Sequence, residues 1–310
     1  MSRTRAFVRE MGLRDGLQSI KTIMPTATKL DWISREAACG VGEIEVASFV
    51  PAKLLPQMAD AAQVVAGALA NRALVVAALV PNMKGAQNAI AAGAMKLNYV
   101  MSVSESHNMA NVRRPVAESL ADFGHIVEFC KTLPEGKRPV VAGGLATAFG
   151  CTIEGPIREE RSRELAAELA ALGADEVIVA DTVGYGNPAA VRRVFAGVRA
   201  EVGNLPVAAH FHDTRGVGLA NVVAALDEGV VRFDASLGGL GGCPYAPGAS
   251  GNIVMEDLVF LLESMGYDTG VDVARLIEVR RFVQASLAEE REQFHGAVAR
   301  AGLPKNYIHA

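Results

Sequence analysis

The chain has 310 residues, 50% of them hydrophobic, and carries 34 acidic against 30 basic side chains for a formal net charge of −4. That is enough apolar material for one large α/β barrel or two smaller domains, and the scattered lysines and arginines form no patch suited to nucleic acid or an anionic membrane. A small-molecule partner is expected. Four cysteines without a CxxC pair (Cys39, Cys130, Cys151, Cys243), behind an N-terminus MSRTRAFVRE that has no apolar signal run, predict a reduced, cytoplasmic protein.

In chain order, eight short runs rich in Val, Ile and Ala recur at roughly thirty-residue intervals and are apolar on both faces, the pattern of buried parallel strands. They read AFVREMG, EIEVASF, ALVVAAL, KLNYVMS, PVVAGGL, EVIVADT, PVAAHFH and RFDASLG. Between them lie Ala-rich stretches of helical period, among them SRELAAELAAL at 162–172 and LANVVAALDEG at 219–229. The most apolar region, 63–80, is broken by Asn71 and Arg72, so it reads as a core helix running into a buried strand and not as a membrane span. Gly42, Gly93, Gly173 and Gly229, each just ahead of a strand, are predicted to end helices in a left-handed conformation. No linker rich in Pro, Ser or Gly and no low-complexity tract divides the chain. The expected fold is a (β/α)8 TIM barrel over residues 1–270, followed over 271–310 by a helical extension that packs on the barrel or on a partner subunit. A doubly wound open sheet is the alternative, disfavoured because no GxGxxG follows the first strand.

In such a barrel the chemistry sits at the C-terminal mouth, which directs attention to polar groups at strand ends. The first run closes on Arg14 and Asp15, the second carries Glu45 and Ser48, the sixth closes on Asp181 and Thr182, and the seventh on His210, His212 and Asp213. In HFHD, residues two apart on a strand share a face, which brings two imidazoles together in a chelating arrangement. Asp15 offers a hard oxygen, and Asn252 a carbonyl oxygen if the glycine-rich loop folds across the mouth. Two nitrogens and two oxygens with open positions suit Mg2+ or Mn2+ better than a closed zinc site, with zinc and cobalt as further candidates. Simpler readings stand beside these: two histidines in a polar core, Asp15 as a turn residue before Gly16, and Arg14 with Glu45 as a structural ion pair. Asp181 either orients a histidine or only satisfies the barrel interior.

Together MGLRDGLQ, IEVASFVPAKLLPQMAD, VADTVGYGNP, HFHDTRG and GLGGCPYAPGASGNIVMEDLVFLLE resemble the 3-hydroxy-3-methylglutaryl-CoA lyase family, in the same order, from residue 7 to residue 285. The resemblance implies that Asp15, His210, His212 and Asn252 bind the divalent metal, that Arg14 stabilises an enolate, and that Cys243 sits on a mobile loop closing over substrate. It also places Glu45 and Asp181 in the catalytic set, and Gln18, Ser48, Gly144, Thr182 and Asn111 against the substrate. The implied reaction is metal-assisted cleavage of a 3-hydroxy-3-substituted acyl-CoA, with 3-hydroxy-3-methylglutaryl-CoA giving acetoacetate and acetyl-CoA as the default, in leucine catabolism, by a homodimer or higher homo-oligomer. Such a cleavage needs the hydroxyl proton removed, a cation on the enolate oxygen and an acid for the enolate carbon. His210 is the expected proton carrier, with Cys243 or a water as the second, and a hydroxide or Asp213 as replacements for His210.

Three other readings stay open: a different or bulkier 3-hydroxyacyl-CoA, a Claisen-condensing acyltransferase on the same barrel, and a catalytically silent metal-binding subunit. Condensing relatives share the RDG-like motif and the HxH pair but lack the GGCPYA loop. The chain departs from the family pattern in three places. RDGLQSIK replaces RDGLQNEK, introducing Ser19 and Ile20; Gly144 stands where a tyrosine is usual; and SESHNMANVRR carries His107 for Phe and Arg113 for Asn. These changes are expected to touch the acyl part of the substrate.

Overall fold

Eight parallel strands close on one another in chain order: β1 (Phe7–Glu10), β2 (Glu43–Ser48), β3 (Val75–Val80), β4 (Lys96–Ser102), β5 (Val140–Ala146), β6 (Glu176–Asp181), β7 (Val207–Phe211) and β8 (Arg232–Ala235), with β8 returning to β1. The computed structural model describes residues 3–241 and 251–307. Each of the eight apolar runs forms a strand, and helices alternate with them, so the architecture is the expected (β/α)8 barrel. The two Ala-rich stretches lie in the helices Glu159–Ala171 and Gly218–Asp227, and the apolar region at 63–80 becomes the helix Ala61–Ala68 followed by β3.

One helix stop differs from expectation. Gly93, Gly173 and Gly229 are left-handed (φ 98°, 95° and 74°), but after the helix Thr26–Ala38 it is Gly40 (φ 96°), and not Gly42, that takes this conformation. A Cβ on Gly40 would strike the Gly270 carbonyl, so the glycine also admits the backbone of the C-terminal segment. Beyond residue 270 the helix Val273–Ser286 packs against Thr26–Ala38 and against the helix Met255–Ser264, and the short helix Ala297–Ala301 packs on Met255–Ser264.

Strand side chains alternate between two different interiors. Outward-facing residues such as Val8, Ile44, Val76, Leu97, Val141 and Val177 pack beneath the helices in one continuous apolar core. Inside the barrel, among the described residues, a small separate apolar cluster forms from Ala142, Ile178 and Ala208. Charged side chains share that inner space. Lys96 Nζ bridges Glu43 Oε1 at 2.7 Å and Glu176 Oε2 at 2.8 Å, and Arg9 joins Glu176 to Asp234. Charges buried this deeply persist only when paired, and removing one partner of such a pair costs about 3–5 kcal/mol.

Candidate active site

After β1 stops at Glu10, the chain tightens into a π-helical turn, Gly12–Gly16, in which the Asp15 N–H donates to Met11 O at 2.7 Å. Arg14 and Asp15 therefore stand on a turn beyond the strand, not on the strand end. The buried Glu10 carboxylate accepts from the Gly12 N–H and, at 3.0 Å, from the Leu237 N–H, tying this turn to the chain leaving β8. Arg14 donates from Nε to Glu45 and from Nη1 to Asp15, and Glu45 also accepts from Asn98 Nδ2 at 2.8 Å. Burial alone would weaken the Arg14 charge, but Glu45 and Asp15 hold its pKa above the ordinary value. Burial opposes ionisation of Asp15 too; Arg14 and then the two histidines outweigh it and lower its pKa.

His210 lies on β7, and His212 falls one residue past it, in an antiparallel bridge with Asn252. The bridge exists because the chain from Gly251 onward runs back along the rim: Asp213 N–H donates to Gly251 O at 2.9 Å and Ile253 N–H to Phe211 O at 3.1 Å. The Nε2 atoms of His210 and His212 stand 3.1 Å apart, and His212 Nε2 is 3.6 Å from Asp15 Oδ2. One ligand atom from each of Asp15, His210 and His212 lies within 4.8 Å of the others. Asn252 Nδ2 donates to Asp15 Oδ2 at 2.7 Å and to Leu240 O at 2.9 Å, which leaves Asn252 Oδ1 buried without a partner among the described residues. Burial, and then the neighbouring His210, push the His212 pKa down to about 4, so the ring is neutral at pH 7 and ready to ligate. An orphaned carbonyl oxygen beside a carboxylate and two facing imidazole nitrogens is a donor set that fits a divalent cation.

Gly241 (φ 122°) and Gly251 (φ 97°) flank residues 242–250. A Cβ on Gly241 would meet Asn252 Nδ2 and, at 2.9 Å, Asp15 Oδ2; one on Gly251 would meet the carbonyl oxygens of Gly239 and Gly241. Only glycine fits either position, and the chain thus leaves and re-enters beside the donor set. Cys243 lies outside the described residues.

Of the other expected residues, Gln18 joins the set, donating from Nε2 to Asp15 Oδ1 at 3.0 Å. Ser48 is buried at the end of β2, its hydroxyl without a partner among the described residues. Gly144 is half-buried on β5, where a Cβ would sit 3.1 Å from Tyr99 O. Thr182 Oγ1 accepts from the Thr147 N–H at 2.9 Å, joining the ends of β5 and β6. Asp181 does not reach a histidine: it accepts from the Tyr185 and Gly186 N–H groups at 2.8 and 2.9 Å, closing the turn after β6, and burial raises its pKa to about 6. Asp213 likewise serves a turn, accepting from the Gly218 N–H at 2.7 Å. Asn111 is exposed on the helix Glu105–Val112, whereas the donor set is buried. Among the departures from the family pattern, Ile20 is a core residue and not a pocket residue, and Arg113 takes the left-handed position ending that same helix (φ 59°). His107 is buried with Nδ1 2.7 Å from Ser102 Oγ.

The carboxylate that backs His210 is Asp234 on β8, with Oδ2 3.1 Å from His210 Nδ1 and Oδ1 2.6 Å from Arg9 Nε. Burial works against its ionisation, but Arg9 and His210 bring its pKa down to about 2. Sequence reasoning passed over Asp234, Arg9, Asn98 and Glu10. The available signal was charged residues set among apolar ones in a strand, Arg9 and Glu10 in FVREMG and Asp234 in RFDAS, the same kind of signal that singled out Glu45.

The family described as HMGL-like matches residues 7–283. The hydroxymethylglutaryl-CoA lyase of Bacillus subtilis is 38% identical over 282 residues, which cover 91% of this chain and 93% of that protein. Among solved structures, an HMG-CoA lyase from Acinetobacter baumannii in complex with coenzyme A and 3-methylmalate has a TM-score of 0.90 at 40% identity, covering 99% of this chain and 98% of that one. The hydroxymethylglutaryl-CoA lyase of Pseudomonas aeruginosa gives a TM-score of 0.90 at 35% identity, over 97% and 98% of the two chains. A family match running through the whole barrel, with relatives of the same length and fold, makes this chain a member of the HMGL-like family, that of the hydroxymethylglutaryl-CoA lyases.

Proposed function

We propose that the protein is a carbon–carbon lyase that cleaves 3-hydroxy-3-methylglutaryl-CoA to acetoacetate and acetyl-CoA, with Mg2+ or Mn2+ held by Asp15, His210, His212 and Asn252. The observation that carries this reading is the meeting of Asp15, His210 and His212 within 4.8 Å, beside the buried Arg14. Relatives spanning nearly the same length bear this activity in their names, and the coenzyme A bound to the Acinetobacter protein supports a thioester substrate.

A divalent ion in such a set lowers the pKa of a substrate hydroxyl and offsets charge on neighbouring oxygens. The remaining work falls to side chains. The substrate hydroxyl passes its proton to a water at the mouth, its electrons form the ketone of acetoacetate, the carbon–carbon bonding pair moves into the thioester as an enolate, a thiol proton is given to the enolate carbon, and the thiolate left behind takes back the proton held by that water. Arg14, kept charged by Glu45 and Asp15, stabilises the enolate oxygen. Gln18 steadies Asp15. Ser48 has the strongest claim to substrate contact, through its unpartnered hydroxyl; Gly144, Thr182 and Asn111 keep that role on resemblance alone. His210 is ill placed as a proton carrier, because Nδ1 is engaged by Asp234 and Nε2 faces His212. We therefore assign proton delivery to Cys243, which follows Gly241 closely in sequence, with Asp181 in support through the turn it closes.

Buried free thiols at Cys39, Cys130 and Cys151 support a reducing compartment, and the reading is completed by a cytoplasmic homodimer acting in leucine catabolism through a catalytic barrel at 1–270. No helix among the described residues is long and apolar enough to cross a membrane. The test is incubation of the purified protein with Mg2+ or Mn2+ and a panel of 3-hydroxy-3-substituted acyl-CoA thioesters. Equimolar acetoacetate and acetyl-CoA from 3-hydroxy-3-methylglutaryl-CoA is expected; no acetyl-CoA from any member overturns the lyase reading.

A further inference from the structure

Beneath the donor set, the inside of the barrel holds one connected line of charge. Lys96 bridges Glu43 and Glu176, Glu176 pairs with Arg9, Arg9 Nε donates to Asp234 Oδ1 at 2.6 Å, and Asp234 Oδ2 meets His210 Nδ1 at 3.1 Å. Arg9 and Asp234 are 1% and 2% exposed. A barrel interior has no need of ions for packing, since Ala142, Ile178 and Ala208 fill their share of it with apolar groups. We propose that Asp234, held by Arg9, is a positioning residue that fixes His210 with its proton on Nδ1 and the lone pair of Nε2 turned toward the metal.

A carboxylate in contact with a buried guanidinium is an acceptor only, so the ring nitrogen facing it must be the donor. With the proton committed to Nδ1, Nε2 is left as a bare lone pair 3.1 Å from His212 Nε2. The two histidines are held differently. His210 is gripped from behind by Asp234, whereas His212 Nδ1 is buried without a hydrogen-bond partner among the described residues and its backbone is fixed by the bridge to Asn252. His210 is thus the ligand whose orientation depends on a side chain, and Arg9 is the residue that aims that side chain. A carboxylate behind a ligating imidazole fixes both tautomer and ring angle.

The inference rests on the reading of His210 as a metal ligand, and the experiment separates the two. Long-range 1H–15N spectra of the metal-free protein labelled at histidine nitrogen report the His210 tautomer directly, without any substitution. Mn2+ titration of the wild type, Asp234→Asn and Arg9→Lys follows. The proposal expects the Nδ1-protonated form in the wild type, and Mn2+ affinity weakened by about 10- to 100-fold in Asp234→Asn, with an altered tautomer signal and a smaller loss in Arg9→Lys. If Asp234→Asn does not fold, the double variant Arg9→Met, Asp234→Asn removes both charges while Glu176 keeps Lys96, and is expected to show the same weakening. A wild-type His210 carrying its proton on Nε2 overturns the proposal, as does wild-type Mn2+ affinity in a folded Asp234→Asn or double variant. A wild type that binds no divalent ion at all overturns the metal reading instead, whatever the tautomer.

Discussion

Asp15 divides its oxygens among several neighbours: Oδ1 accepts from Gln18 and Arg14, and Oδ2 accepts from Asn252 while lying 3.6 Å from His212. An amide in its place would set an N–H against one of the donors that surround it, so Asp15→Asn is expected to lose Mn2+ binding and activity together. Arg14→Met removes a cation without removing a ligand. Its expected signature is a kcat lower by about 10²–10³-fold with Mn2+ affinity nearly kept, the size of loss typical for one oxyanion-stabilising group; equal losses in metal binding and kcat would deny Arg14 its place at the enolate. At this scale the HxH pair was legible because a spacing of two on a strand fixes a shared face, and Asp15 and Asn252 were offered as its oxygen partners from their places at the mouth, with the resemblance implying the same set. Asp234 and Arg9 were not legible. In a strand buried on both faces, periodicity does not tell the barrel interior from the helix-covered side, so the charge of Asp234 in RFDAS carries no direction.

Beside the end of β7, two short elements carry the site, the turn Gly12–Gly16 and the returning segment from Gly251, and Glu10 joins the first to the chain leaving β8. Burial pushes the Glu10 pKa from about 4.5 to about 8, and Glu36, buried and next to Glu10, is also held well above the carboxylate range. In the unfolded chain both return to ordinary values. Between these limits the folded protein holds protons that the unfolded chain has released, so this contribution to stability is full below about pH 4.5 and is lost as pH rises through about 8. Urea midpoints measured across that window should fall with pH in the wild type and fall less steeply in Glu36→Gln. Identical slopes in the two proteins would show that the buried pair does not titrate on unfolding. The strand ends illustrate why element boundaries were harder to foresee than elements. Arg14 and Asp15 follow β1 so closely in sequence that a continuous strand and a π-helical turn give the same apolar pattern, and the Arg14, Asp15 and Gly16 N–H groups converging on Met11 O distinguish them.

The whole barrel was readable because parallel strands buried on both faces leave continuous Val, Ile and Ala runs, and the Ala-rich helices between them repeat with one period. Which residues line the inner space was not, since that depends on the register around the closed sheet, including the shift in β2 between Glu45 and Ala47. The account as a whole makes one demand of the molecule: the ion held by Asp15, His210, His212 and Asn252 and the cleavage of the thioester belong to the same site. The most direct measurement strips the protein of metal, restores Mn2+ stepwise, and follows bound Mn2+ and acetyl-CoA release from 3-hydroxy-3-methylglutaryl-CoA in the same samples. The account predicts a rate proportional to Mn2+ bound, saturating at one ion per chain, with neither binding nor release in Asp15→Asn. Full release from chelator-treated protein, or wild-type release from Asp15→Asn, would contradict it.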